Sequence, residues 1–171
     1  MKTLTSLAFA TILAAPAFAQ PLTRDNIATD LEDAMAFDIA PDGDVFITER
    51  EGRLLRVRPS TGGIFEIAKI PVEHLKKTDR NSPYAREDGL QGIALDPDFA
   101  KNNFIYLYYS HPEKIINRLA RFTLKDGVLD LASEVAILDI PIERANKVCH
   151  HGGAIEFGPD GLLYLSTGDN T

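Results

Sequence analysis

Three stretches of the chain share one pattern, and this repeat constrains the fold more than any other feature of the sequence. The stretches are "AFDIAPDGDVFIT", "GIALDPDFAKNNFIYLYY" and "AIEFGPDGLLYLST". Each one combines alternating apolar residues, a Pro-Asp pair, a short turn and a second run rich in β-forming residues. The pairs begin at Pro41, Pro97 and Pro159, so the spacings are 97 − 41 = 56 and 159 − 97 = 62 residues. Self-similarity on this scale is typical of a propeller or a solenoid.

The residues between these stretches predict four short strands in each repeat. In the first repeat, β-rich segments at 45–48, 53–58 and 64–70 follow the initial apolar run. In the second repeat, the corresponding segments lie at 104–109, 119–124 and 135–140. Four strands joined by Gly, Asp and Asn turns are the content of one propeller blade. We therefore predict an all-β propeller whose initial strands, at 37–40, 93–95 and 155–157, line a central channel. A plain antiparallel sandwich is the alternative, because its turn signals are similar.

The third repeat has only its first two strands before Thr171. The sequence therefore predicts about two and a half blades. An unclosed propeller exposes sheet edges and part of its core. We expect the chain to be the N-terminal part of a longer protein, and the isolated segment to be marginally stable and prone to associate through its open edges.

The first 19 residues have the organisation of a secretory signal peptide. Lys2 supplies a positive start, residues 4–15 are apolar, and residues 17–19 read "AFA", a small-x-small cleavage signal. The alternative is a buried N-terminal helix, which Pro16 and the polar residues after Ala19 disfavour. We expect cleavage after Ala19, a propeller segment over residues 20–171, and a periplasmic or secreted location.

The charge of the chain limits the partners that it can bind, and its cysteine content limits how the fold can be stabilised. The chain carries a formal net charge of −7 without a block of Lys or Arg, which argues against nucleic acid and anionic membranes as partners. Beyond the first residues, no run is long and apolar enough to span a bilayer. Cys149 is the sole cysteine, so no internal disulfide can form and stability must come from packing.

Two histidines precede the third inner strand and are followed directly by two glycines. His150 and His151 lie where a propeller collects functional groups, and Gly152 and Gly153 let a ligand approach the backbone closely. Neutral imidazole is the side chain best suited to accept a proton near neutral pH. Since neighbouring residues of an extended segment face opposite ways, we expect only one histidine to address the channel. The alternative is a loop pair that makes ordinary hydrogen bonds.

Glu87 precedes the second inner strand as the histidines precede the third. We expect it at the same channel mouth, where a carboxylate suits a hydroxyl-rich ligand; a solvated loop acid is the alternative. No metal site is predicted within the chain, because Cys149, His150 and His151 are consecutive and one ion cannot easily take all three. The chain lacks GxGxxG, P-loop and GxSxG motifs, which removes support for nicotinamide, nucleoside triphosphate and serine-hydrolase chemistry.

Two long segments, "EDGLQGIALDPDFAKNNFIYLYYS" and "HHGGAIEFGPDGLLYLSTGDNT", resemble the glucose/sorbosone dehydrogenase family, the soluble quinoprotein sugar dehydrogenases. The resemblance covers about residues 35–171 and less than half of the family's domain. It implies a six-bladed β-propeller with pyrroloquinoline quinone (PQQ) as cofactor and a calcium ion that holds the quinone. It also implies a reaction: the anomeric hydroxyl of an aldose is oxidised to a lactone, and hydride passes to PQQ. A small sugar and an external electron acceptor are the implied partners.

The resemblance also assigns residues. In the family's "HxGG" pattern the catalytic base falls on His150, and Glu87 matches a position that contacts substrate. Well-studied glucose-oxidising members carry glutamine in place of Glu87 and aspartate in place of Cys149, which leaves the identity of the sugar open. Ligands for the quinone and for calcium are expected after Thr171, so we expect no cofactor on this segment alone.

Two other functions remain as alternatives at this stage. One is a non-catalytic secreted propeller that binds a glycan or a protein through the same channel face. The other is a propeller hydrolase of the lactonase type, which would need metal-binding carboxylates that the segment does not display.

The signal peptide yields a first testable prediction. When the protein is expressed with its native N-terminus in a Gram-negative host, the exported form should begin at Gln20, and N-terminal sequencing would show this. Replacing Ala19 with leucine should block processing, because the cleavage site requires small residues. A folded, exported protein that retains Met1 would instead support the buried helix.

Overall fold

A computed structural model of the protein describes residues 22–74, 87–143 and 150–169. These residues form ten strands and one short helix: β1 (Ala34–Ile39), β2 (Val45–Glu49), β3 (Arg53–Arg58), β4 (Gly63–Lys69), β5 (Leu90–Leu95), α1 (Phe99–Asn102), β6 (Phe104–Ser110), β7 (Ile116–Lys125), β8 (Val128–Pro141), β9 (Gly152–Phe157) and β10 (Leu163–Thr167). None of the helices within these ranges has the length and apolarity needed to cross a membrane.

The strands form three antiparallel sheets that follow one another along the chain. The first has the order β1-β2-β3-β4 and the second the order β5-β6-β7-β8, while β9 pairs with β10. Among the first strands of the three sheets, β5 lies beside both β1 and β9. Successive meanders with adjacent first strands are blades around a common channel, so the predicted all-β propeller arrangement is confirmed.

The apolar core lies between the blades. Blades 1 and 2 share a large cluster in which the rings of Phe46 and Phe99 meet edge to face at 5.5 Å. Blades 2 and 3 share a smaller cluster around Tyr108 and Ile155. Each of these clusters stabilises two neighbouring blades, while the first blade also has a small cluster of its own on β2 and β3.

The inner strands pack so closely that one position admits no side chain. A Cβ atom on Gly92 in β5 would overlap the carbonyl oxygen of Gly153 in β9. On the other side of β5, the backbone N–H of Leu95 donates to the Asp38 carboxylate of β1 at 2.7 Å. These contacts hold the inner strands of adjacent blades together. The loops that precede β5 and β9 therefore lie close to each other.

Two elements differ from the prediction. Strand β8 begins at Val128 rather than near residue 135, because it leaves the tight turn at Asp126 and Gly127 directly and stays paired through register irregularities opposite β7. Helix α1 was not predicted. It occupies the turn of the second repeat, where Phe99 turns inward to the core and Asn103, at φ 57°, ends the helical turn.

The glycine contact between β5 and β9 can be tested. Gly92→Ala should destabilise the full-length protein by about 1–3 kcal/mol, because the new methyl group must push two backbones apart. Thermal and urea unfolding would measure the change. Gly127→Asn is the control: that turn has φ +82°, which asparagine tolerates, and open space around it. Equal stabilities for the two variants would contradict this account of the packing.

Candidate functional site

Three chain segments meet at the end of the inner strands where β5 and β9 begin. They are the loop of residues 87–89 before β5, His150 and His151 before β9, and residues 167–169 at the end of β10. Thr167 lies opposite Gly152 in the antiparallel register, which places the end of β10 beside the start of β9. The hairpin thus brings the "HHGG" and "STGD" segments together.

His150 projects outward at this site and is paired with an aspartate. Its side chain is 57% exposed, and Nδ1 lies 2.9 Å from Oδ1 of Asp169. A carboxylate can only accept in this contact, so Nδ1 carries a proton, and in the neutral imidazole the lone pair is on Nε2. An imidazole oriented in this way can take a proton at Nε2, while the carboxylate stabilises the imidazolium that forms.

The backbone around His150 adopts conformations and close contacts that favour glycine. His150, Gly152 and Gly153 all have positive φ angles, of 63°, 67° and 118°. Gly168 packs directly on the His150 carbonyl, and a Cβ atom there would overlap it. The "GG" and "TGD" motifs thus permit the tight crossing of β9 and β10 that sets the His150–Asp169 pair.

His151 turns the opposite way and is 1% exposed. Its Nδ1 lies 3.0 Å from Nδ2 of Asn117, and its Nε2 lies 3.4 Å from Oδ1 of Asp88. Tyr108 is also fully buried here, with its ring against Gly153. Burial raises the pKa of Tyr108, so its phenol stays neutral and serves as packing surface. The structure therefore presents only His150 to the channel side.

Glu87 lies beside the histidine pair. Its Oε2 accepts a hydrogen bond from the backbone N–H of His151 at 3.0 Å, and its own carbonyl accepts from Nε2 of Gln91 at 2.6 Å. The structure thus brings together the two residues singled out in the sequence, His150 and Glu87. One carboxylate oxygen of Glu87 fastens the loop that carries the histidines.

The two remaining histidines lie away from this site. His111 accepts from the N–H groups of Glu113 and Lys114 through Nδ1, as a loop cap. His74 contacts the carbonyl of Val72 at 3.4 Å. Cys149 lies outside the described residues. Within the described ranges, no group of three or more His, Cys, Asp or Glu side chains could hold a metal ion.

Sequence reasoning missed four residues of this region. Asp169 was visible in the "STGD" segment, but nothing local marks it as the partner of a residue 19 positions earlier. Asp88, Ser110 and Asn117 form a buried polar set behind the histidines. An Asp-Gly dipeptide reads as a turn, and single Ser and Asn residues in strands carry no signal of their own.

A β-propeller with a histidine–aspartate pair at the channel end of its inner strands is the class of protein that this fold and this site define. The chain belongs to the Glucose / Sorbosone dehydrogenase family, which matches residues 31–171.

Known relatives agree with this assignment. The PQQ-bound aldose sugar dehydrogenase of Streptomyces coelicolor has 32% sequence identity and a TM-score of 0.68, with 84% of this chain and 40% of that chain covered. Quinoprotein glucose dehydrogenase B of Acinetobacter calcoaceticus is 27% identical, with 91% of this chain and 32% of the relative covered. Human Hedgehog-interacting protein is 29% identical, with coverages of 73% and 19%. The chain spans about a third or less of the length of these curated relatives.

The contact between Glu87 and the loop gives a prediction about stability. Glu87→Ala should destabilise the protein by about 1–2 kcal/mol, because the N–H of His151 loses its acceptor. Glu87→Gln should cost less, since the amide carbonyl can still accept. Thermal unfolding would compare the two with Glu113→Ala, a change at an exposed loop position. Equal stabilities for Glu87→Ala and Glu113→Ala would contradict the role of Glu87 in fastening the loop.

Proposed function

We propose that the full-length protein is an exported quinoprotein oxidoreductase that oxidises the anomeric hydroxyl of an aldose sugar to the lactone. The observation that carries the proposal is the pairing of an outward-facing His150 with Asp169, at a site where the neighbouring residues are glycines. The family membership of the chain and its likeness to a PQQ-bound aldose sugar dehydrogenase support the same reaction.

The residues of this chain supply the acid–base part of the reaction. Oxidation of the sugar removes a proton from the anomeric oxygen and a hydride from the anomeric carbon. Nε2 of His150 takes the proton, and Asp169 stabilises the resulting imidazolium through Nδ1–H. Glu87, beside the same loop, contacts the hydroxyl groups of the sugar in this proposal, which its position next to the histidines supports. PQQ, when bound, supplies the two-electron acceptor for the hydride.

The described residues fit the role of a substrate base and leave the holding of the cofactor to other parts of the protein. Gly152 and Gly153 let β9 pack closely on β10 and β5, and the His150 side chain stays exposed beside them. Carboxylates here are committed to the protein: one Asp169 oxygen pairs with His150, and one Glu87 oxygen accepts from His151. We therefore place the ligands for the quinone and for calcium outside the described residues, chiefly in the part of the relatives that this chain does not span.

The domain organisation follows from the same proposal. Residues 1–19 act as the export signal, and residues 20–171 form the first blades of a six-bladed propeller. Export would place the reaction in the periplasm or outside the cell, where an external acceptor reoxidises the cofactor.

A second candidate is a non-catalytic propeller that binds a glycan or a protein through the same face. The similarity to Hedgehog-interacting protein supports it, since that relative shares the region with this chain. The lactonase-type hydrolase gains no supporting observation from the described residues.

The base assignment is tested by two substitutions in the full-length protein reconstituted with PQQ and calcium. His150→Ala should lower kcat by about 10² or more, because a positioned general base contributes about 10² to 10⁴ in rate. Asp169→Asn should also lower kcat, because an amide cannot stabilise the imidazolium as a carboxylate does. Asp160→Asn, in the turn of the same hairpin, is the matched control and should retain activity.

Binding of the quinone, followed by its absorbance, separates the possible outcomes. Variants that bind the quinone normally but have lost turnover support the base. Full turnover in His150→Ala would overturn the assignment. A wild-type protein that oxidises no aldose yet binds a glycan or protein at this face would favour the second candidate.

A further inference from the structure

Four polar side chains are buried behind His150 where the second and third blades meet. They are Asp88, Ser110, Asn117 and His151, and none is more than 2% exposed. They come from the loop before β5, the end of β6, the start of β7 and the loop before β9. Burial of so many polar groups is costly unless each finds partners, so their arrangement calls for a physical reason.

The four side chains form a closed ring of contacts. Asn117 Nδ2 lies 3.0 Å from His151 Nδ1, and Asn117 Oδ1 lies 2.8 Å from Ser110 Oγ. Ser110 Oγ lies 3.0 Å from Asp88 Oδ1, which in turn lies 3.4 Å from His151 Nε2. Each side chain thus touches two others, and the ring joins both blades.

The contacts limit how the imidazole can turn. Asn117 reaches one ring nitrogen of His151 and Asp88 lies near the other, so neighbouring side chains flank the ring at both nitrogens. The Ser110 hydroxyl contacts both Asn117 and Asp88, and so links the two residues that lie against the imidazole.

The backbone of His151 is fixed as firmly as its ring. Its N–H donates to Glu87 Oε2 at 3.0 Å, and its carbonyl accepts from the N–H of Gly168 at 3.2 Å. His150 precedes it directly, and Asp169 follows Gly168. His150 and Asp169 are therefore the sequence neighbours of His151 and Gly168, whose backbones are joined by this hydrogen bond.

We propose that His151 is a positioning residue: through the buried ring with Asp88, Ser110 and Asn117, it holds the His150–Asp169 pair in its reactive geometry. The inference rests on the proposed function, in which His150 is the base. A ring that served only to join two blades would affect stability and leave the state of His150 unchanged.

The experiment breaks the ring without touching either histidine. Ser110→Ala removes the hydroxyl and its two contacts, while Ser110→Thr keeps the hydroxyl. Ser166→Ala makes the same change at an exposed position of β10 and is the matched control. In the full-length, quinone-loaded enzyme, Ser110→Ala should lower kcat by about 10- to 100-fold with a smaller effect on KM, because small displacements of a catalytic group cost rate rather than binding. Ser110→Thr should recover most of the loss.

A second readout needs neither quinone nor substrate. In cofactor-free protein with 15N-labelled histidine, His151 should show a ring N–H that exchanges slowly with solvent, and His150 should be mainly the Nδ1–H tautomer. Ser110→Ala should shift His150 toward a mixture of tautomers, and Ser110→Thr should not. This readout remains valid if the protein proves to have no dehydrogenase activity, so failure of the proposed function is distinguishable from failure of the inference.

Two results would overturn the inference. One is a Ser110→Ala variant that melts earlier but keeps the wild-type kcat and the wild-type His150 tautomer, since the ring would then only join the blades. The other is a wild-type His151 whose ring N–H exchanges as fast as that of His150. This second measurement needs no variant, so a Ser110→Ala protein that does not fold leaves the inference testable.

Discussion

The close approach of β5 and β9 is the constraint on which the rest of the site depends. Gly92 lies against the backbone of Gly153, so the two inner strands can begin side by side. That contact decides which loops meet: the segment before β5 carries Glu87, and the segment before β9 carries His150 and His151. The hydrogen bond from the His151 N–H to Glu87 then follows from the packing of the strands. The site is thus a product of how blades pack, and no single blade contains it.

This dependence explains how much the sequence could predict. The repeated Pro-Asp turns and alternating apolar runs are local features, and they predicted the blades and the positions of most strands. His150 and Glu87 were accessible because both immediately precede an inner strand. Asp169 was not, because its pairing with His150 requires the register of β9 against β10, with an irregularity between Leu165 and Thr167. The buried ring was inaccessible for the same kind of reason, since its members come from two blades.

The two adjacent histidines lie in different environments, although the sequence places them side by side. The two side chains point opposite ways from a backbone in which His150 has a left-handed φ of 63°, so one is exposed and the other enters the interface between blades. The exposed one can exchange protons with a ligand. The buried one lies against Asn117 and Asp88 and is closed off from a ligand. The buried contacts of His151 lie next to Gly152 and Gly153, and they restrict the conformational freedom that glycines bring to the loop. The buried histidine and the glycines are therefore complementary parts of one loop.

The hydrogen bond between Glu87 and the histidine loop does not require the negative charge of Glu87. The hydrogen bond to His151 uses one oxygen as an acceptor, and a glutamine carbonyl at this position could accept it equally well. The fold therefore places no demand on a negative charge here, although glucose-oxidising members of the family carry glutamine. A carboxylate differs from an amide in two ways that matter at the channel: it cannot donate a hydrogen bond, and it favours a nearby imidazolium. Under the proposed function, the first difference limits Glu87 to sugar hydroxyl groups that act as donors, and the second stabilises an imidazolium formed beside it. Exchanging Glu87 for glutamine would therefore change how the proposed substrate is recognised while an acceptor for the His151 N–H is kept.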